Sequence, residues 1–218
     1  YLAASSGKGH GIHSPFVFNF VKQILNDTSD FEAYHKVESL RKRLLQNNQI
    51  LEVQDYGAGS VKSKTRRRRS SEITRHAVKP RKFGQLFFRM VQYFQCRTIL
   101  ELGTSLGVTT SYLALANPSV PVISLEGAST VAAIARSNFE KLAIKNVRLE
   151  EGNFDEILPK LLTDCNTLDF VFVDGNHRKE PTLKYFQLLL GKINNASIII
   201  FDDIHWSMEM EEAWEMIK

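Results

Sequence analysis

Three carboxylates make the sharpest chemical demand in this chain. Asp174 ends the apolar run LDFVFVD, and Asp202 and Asp203 end ASIIIFDD. If both runs are strands of one open α/β sheet, these acids stand outside the carboxyl ends of the strands, where such sheets bind ligands. Carboxylates converging there repel one another unless a positive charge separates them, and oxygen ligands suit Mg²⁺ or another hard divalent cation. The plainer use of Asp202 or Asp203 is to cap the helix that follows. Two histidines lie close by in sequence, His177 after Asp174 and His205 after the acid pair. Either is a candidate base near neutral pH; a surface or capping role is the alternative for each. His10 and His13, in GHGIHSPF, rank below them.

Two glycine-rich turns compete as a cofactor loop: DYGAGS at 55–60 and ELGTSLG at 101–107. Such a loop needs a strand feeding it, a helix leaving it, and an acid ending the next strand, about 20 residues on, to catch a ribose hydroxyl. TILELGTSLG meets all three, with Glu126 as the acid. DYGAGS runs into VKSKTRRRRSS, which has no apolar face to pack on a sheet and no acid-ended strand behind it, and is assigned to a turn. The dinucleotide pattern G-x-G-x-x-G fails at Ser105 and Val108, and GVT lacks the lysine of a P-loop, so the cofactor carries no pyrophosphate. An acid before the loop accepts from an ammonium and a second acid binds a ribose diol. S-adenosylmethionine offers both groups.

The elements that must position these residues follow from periodicity. From Thr98 onward, β-branched runs (98–103, 121–127, 146–152, 168–175 and 196–203) alternate with stretches of helical spacing. Strands joined by crossover helices predict a Rossmann-like, doubly wound, mostly parallel sheet. KFGQLFFRMVQYFQ reads as the helix entering the first strand, while FVFNFVKQIL and YHKVESLRKRLLQ predict helices in a separate N-terminal extension. The expected division is 1–79 for that helical and basic extension, on the acceptor side or as a cap, and 80–218 for the cofactor-binding domain. A sheet ending on so apolar a strand as SIIIF exposes an edge, which leads us to expect further C-terminal strands or a pairing of two copies.

Here the residues resemble a family. ILELGTSLGVTTSYLA, SLEG, VRLEEGNFDEILPKL, LDFVFVDGNH and IIIFDD stand in the order and spacing of class I S-adenosylmethionine-dependent methyltransferases. The resemblance is greatest to the catechol O-methyltransferase-like group and its relatives with a D-G-x-H stretch, and it covers about residues 80 to 218. It implies that Glu101, Gly103, Ser105 and Gly107 line the methionine end of the cofactor. Glu126 would bind the ribose, Gly152, Asn153 and Phe154 would flank the adenine, and Asp174 would lie beside the sulfonium. Gly152 and Phe154 also read as turn and core residues. In the resembled group the acids matching Asp174, Asp202 and Asp203 hold a divalent metal that binds the acceptor hydroxyls. This chain departs where the catechol enzymes carry a lysine, having His177 instead.

Bulk properties narrow the rest. With 218 residues, 43% apolar and 10% aromatic, the chain suits one sizeable core with an appendage. It has no run of about 18 apolar residues, so no membrane partner is expected. Cys96 and Cys165 lack CxxC spacing, and with no secretory signal the expectation is a reducing cytoplasm. Net charge is only +4, yet basic residues from Lys62 to Arg89 face the single acid Glu72. That segment is either a solvated face or an anion-attracting surface.

Three readings result: O-methylation of a small hydroxylated acceptor, with or without a metal; methylation of RNA or protein through the basic segment; and a non-catalytic binding module. RRRR carries no interleaved aromatic for base stacking, which weakens the RNA reading. The intact glycine loop and its two acids weaken the third.

Overall fold

The computed structural model describes residues 14–53 and 67–218. The chain enters through α1 (Pro15–Phe20), capped by the Ser14 hydroxyl and continuing as a π-helical turn, Val21–Leu25. Helix α2 (Glu32–Gln46) buries Tyr34, Val37, Leu40 and Leu44, the one-face spacing expected of an amphipathic helix. Two short strands follow, β1 (Ile50–Glu52) and β2 (Arg67–Arg69), then α3 (Ser70–His76) and α4 (Arg81–Tyr93).

From there strand and helix alternate: β3 (Ile99–Leu102), α5 (Val108–Ala116), β4 (Val122–Glu126), α6 (Ser129–Lys141), β5 (Val147–Glu151), α7 (Phe154–Thr163), β6 (Phe170–Val173), α8 (Lys179–Leu190), β7 (Ile198–Phe201) and α9 (Met208–Ile217). The five strands β3 to β7 pair in parallel in the order β5-β4-β3-β6-β7. The expected doubly wound parallel sheet and N-terminal helices are borne out. Winding reverses between β3 and β6, which places a crevice at their carboxyl ends.

Side-chain alternation assigns the faces. Ile99, Phe170 and Phe172 pack toward α4 and α5 with the apolar face of α2, while Leu100, Leu102, Val171 and Val173 pack toward α7 and α8. The N-terminal helices thus share the core of one sheet face. Tyr112 of α5 meets Tyr34 at 5.9 Å between ring centroids and donates its hydroxyl to Glu38 Oε1 at 2.8 Å. Gly84 lets α4 approach, because a Cβ there would lie 2.3 Å from the Tyr112 ring.

One feature was not anticipated. β1 and β2 form an antiparallel pair, with Glu52 opposite Arg67 and Ile50 opposite Arg69. Three residues are too few to display a period, and an arginine run has no apolar alternation to signal a strand. The Thr130 hydroxyl donates to the Glu52 carbonyl and ties this strand pair to the start of α6. The DYGAGS turn, His10 and His13 lie outside the described residues. No described helix is long and apolar enough to cross a membrane.

Candidate active site

The loop after β3 is built by backbone contacts. Gly103 adopts φ +108, and a Cβ there would stand 2.0 Å from the Asp174 carbonyl oxygen, so the ends of β3 and β6 touch main chain to main chain. The amides of Gly103 and Thr104 both donate to the Leu125 carbonyl. Gly107 is also left-handed, φ +78, with the Phe139 ring where a side chain would go. The buried Asn138 amide donates to the Leu106 carbonyl at 2.9 Å and braces the turn from α6.

The two acids expected to meet the cofactor differ in setting. Glu126 accepts from the Ser105 amide on Oε2 at 2.8 Å and from the Ala128 amide on Oε1 at 2.9 Å. Burial still pushes its carboxyl above the usual range. Glu101 is fully buried. Its Oε2 accepts from Thr110 Oγ1 at 2.5 Å and Ser124 Oγ at 2.6 Å, whereas Oε1 has no partner among the described residues. Burial raises its pKa to about 8, so the group holds a proton at neutral pH. An unpartnered buried carboxyl oxygen beside a glycine loop fits an ammonium, and Glu126 keeps lone pairs for a ribose diol.

After β5, Gly152 takes φ +133 and donates its amide to the Glu126 carbonyl. Asn153 caps α7, its Oδ1 accepting from the Asp155 amide at 3.0 Å. Phe154 packs against the turn after β6, since a Cβ on Gly175 would come within 2.8 Å of its ring. These three residues therefore have structural roles beside the expected adenine contacts.

At the ends of β6 and β7 the acids separate. Asp174 is pushed up to about 6 by burial, with Lys79 opposing and Asp203 adding to the shift. Its Oδ1 lies 3.4 Å from Lys79 Nζ and 3.6 Å from His177 Nε2. His177 Nε2 is also 3.5 Å from Asp203 Oδ2. Asp203 has φ 51, which turns the chain so that neighbouring carboxylates diverge. Asp202 meets Lys79 instead. The side chains whose potential ligand atoms cluster within 4.8 Å are thus Asp174, His177 and Asp203. The three-carboxylate set expected for a divalent metal does not fit this arrangement, because an ammonium is wedged between two of its members. His205 is exposed and pairs with Glu211 of α9 at 3.2 Å, outside that cluster. Lys79 was missed: it lies in a polar linker before Pro80, far in sequence from the acids it contacts, and carries no local signal.

A family model described as a methyltransferase domain matches residues 100–204. This chain carries a methyltransferase domain. The five-stranded parallel sheet with its flanking helices is a Rossmann-like methyltransferase fold. The chain is 31% identical over 124 residues to a catechol O-methyltransferase of Niastella koreensis, a match covering 56% of this chain and 55% of that protein. The chain spans no more than about half the length of the curated relatives it matches. Among solved structures, an O-methyltransferase from Bacillus cereus in complex with SAH is similar at TM-score 0.62 and 21% identity, covering 87% of this chain and 80% of that one. The O-methyltransferase TomG from Streptomyces achromogenes, in complex with SAM, is similar at TM-score 0.58 and 18% identity, covering 91% and 80%. Identities this low establish the methyltransferase-domain fold alone.

Proposed function

We propose that the chain transfers a methyl group from S-adenosylmethionine to an oxygen of a small hydroxylated molecule. The observation that carries the reading is the main-chain contact of Gly103 with Asp174, which joins the cofactor loop to the acid and histidine cluster at the switch point. The relatives named as O-methyltransferases support oxygen as the acceptor atom.

When bound, the cofactor supplies an activated methyl on a sulfonium. Glu126 would accept from the ribose hydroxyls, its carboxylate held by the Ser105 and Ala128 amides. Glu101 Oε1 would accept from the ammonium, which would favour the carboxylate over the protonated form that burial imposes. Methyl transfer to a hydroxyl oxygen would require that the hydroxyl lose its proton. His177 takes it, and the carboxylates of Asp174 and Asp203 near its Nε2 stabilise the resulting imidazolium. The three-carboxylate metal site named from the sequence is not needed for this step. Within the basic segment, Arg67 to Arg69 form β2, which pairs with β1, and β1 meets the start of α6 just past Glu126 through the Thr130 hydroxyl and the Glu52 carbonyl.

Calorimetric titration of S-adenosylmethionine, with and without Mg²⁺ and beside Glu126→Ala, tests the reading. Binding lost in the variant, followed by methylation of a hydroxylated acceptor, supports it. Absence of binding to the wild type would bring the binding-module alternative forward.

A further inference from the structure

We propose that the Lys79 ammonium takes the place of a divalent cation at the carboxyl ends of β6 and β7, so that an acceptor oxygen entering the cluster meets an ammonium and not a metal ion. Only the words "acceptor oxygen" rest on the methyltransferase reading; the charge assignment stands on contacts alone.

Lys79 Nζ contacts Asp202 Oδ2 and lies 3.4 Å from Asp174 Oδ1, with its side chain 16% exposed. His177 Nε2 approaches the same Asp174 oxygen and then Asp203. Carboxylates and nitrogen bases therefore alternate through the cluster in the order Asp202, Lys79, Asp174, His177, Asp203. Each acid has a positive or protonatable neighbour, and the repulsion that calls for a metal is already relieved.

A hard divalent ion needs several oxygens at about 2.0–2.6 Å. Asp174, His177 and Asp203 could close on one only by sharing the carboxylate that Lys79 already contacts, bringing two cations together. An ammonium has three donors. Two face Asp174 and Asp202, which among the described residues leaves the third for an incoming oxygen.

The delivery of this lysine is built into the fold. Lys79 stands in the short connection between α3 and α4, directly before Pro80, whose ring fixes φ at the entrance to α4. Thr74 of α3 is buried, as are Phe87 and Phe88 of α4, so both flanks of the connection are anchored. The N-terminal extension thereby contributes a side chain to a site otherwise made by the sheet.

The test is titration of the full chain with Mn²⁺, following the electron paramagnetic resonance signal of the free hydrated ion. The wild type should leave Mn²⁺ free up to about 1 mM. Lys79→Ala should bind one Mn²⁺ at least about tenfold more tightly, a gain removed by adding Asp202→Asn, while Lys79→Arg should exclude the ion as the wild type does. Should Lys79→Ala fail to fold, Lys79→Gln removes the charge and keeps a donor. Micromolar Mn²⁺ uptake by the wild type, or no gain in the neutral variants, overturns the assignment. S-adenosylmethionine titration in the same buffer tests the cofactor reading separately, so either claim can fail without the other.

Discussion

Replacing Glu101 with glutamine should invert the pH dependence of stability between the two proteins. In the folded chain burial raises this carboxyl from 4.5 to about 8. A raised folded pKa contributes stability that is complete below the unfolded pKa and is lost as pH rises through the folded one. Between pH 5 and pH 8 the folded state keeps a proton that the unfolded state has largely released. At about 1.4 kcal/mol per unit, that interval amounts to roughly 3 to 4 kcal/mol. Asp174 and Glu126 also titrate with raised pKa values; they are present in both proteins and cancel in the difference except for their Coulombic coupling to Glu101. The glutamine oxygen still accepts from Thr110 and Ser124, so at pH 5 the variant should be no more stable than the wild type. At pH 8 it should be the more stable of the two. Urea unfolding followed by circular dichroism at half-unit steps of pH measures this directly. With a slope of about 2 kcal/mol per molar, the midpoints should diverge by more than about 1 M across the interval. A difference curve flat in pH would refute the account of Glu101 as a desolvated, protonated acid.

Gly103→Ala should abolish cofactor binding and lower stability by more than about 2 kcal/mol, because its Cβ meets main chain that cannot rotate aside; thermal unfolding and calorimetry would read both effects. Tyr112→Phe removes the 2.8 Å bond to Glu38, whose other partner is Arg41, and should cost about 1.5 to 3 kcal/mol in urea unfolding. Its loss should loosen α2 from α5 without changing cofactor affinity. If the arginines of β2 served nucleic acid, affinity for RNA would fall steeply with salt and drop further in an Arg67→Glu, Arg69→Glu variant; absent or salt-insensitive binding in a filter assay leaves the small-molecule reading in place.

What could be read before folding was what depends on neighbours in sequence. Each buried strand is a short apolar run, and each connecting helix has its own period and stop, so five strand–helix units and their parallel pairing follow from local pattern. Gly103 and Gly107 were legible for the same reason, since a turn between strand and helix constrains its own residues. Tertiary structure decided which charges meet. Asp202 and Asp203 are adjacent in the chain, yet the left-handed backbone at Asp203 sends one carboxylate to Lys79 and the other to His177. Burial of Glu101 depends on Thr110 and Ser124 arriving from α5 and β4, and the place of Lys79 on how α3 and α4 pack. Coulomb energies depend on distance in space, and separation along the chain carries no record of it.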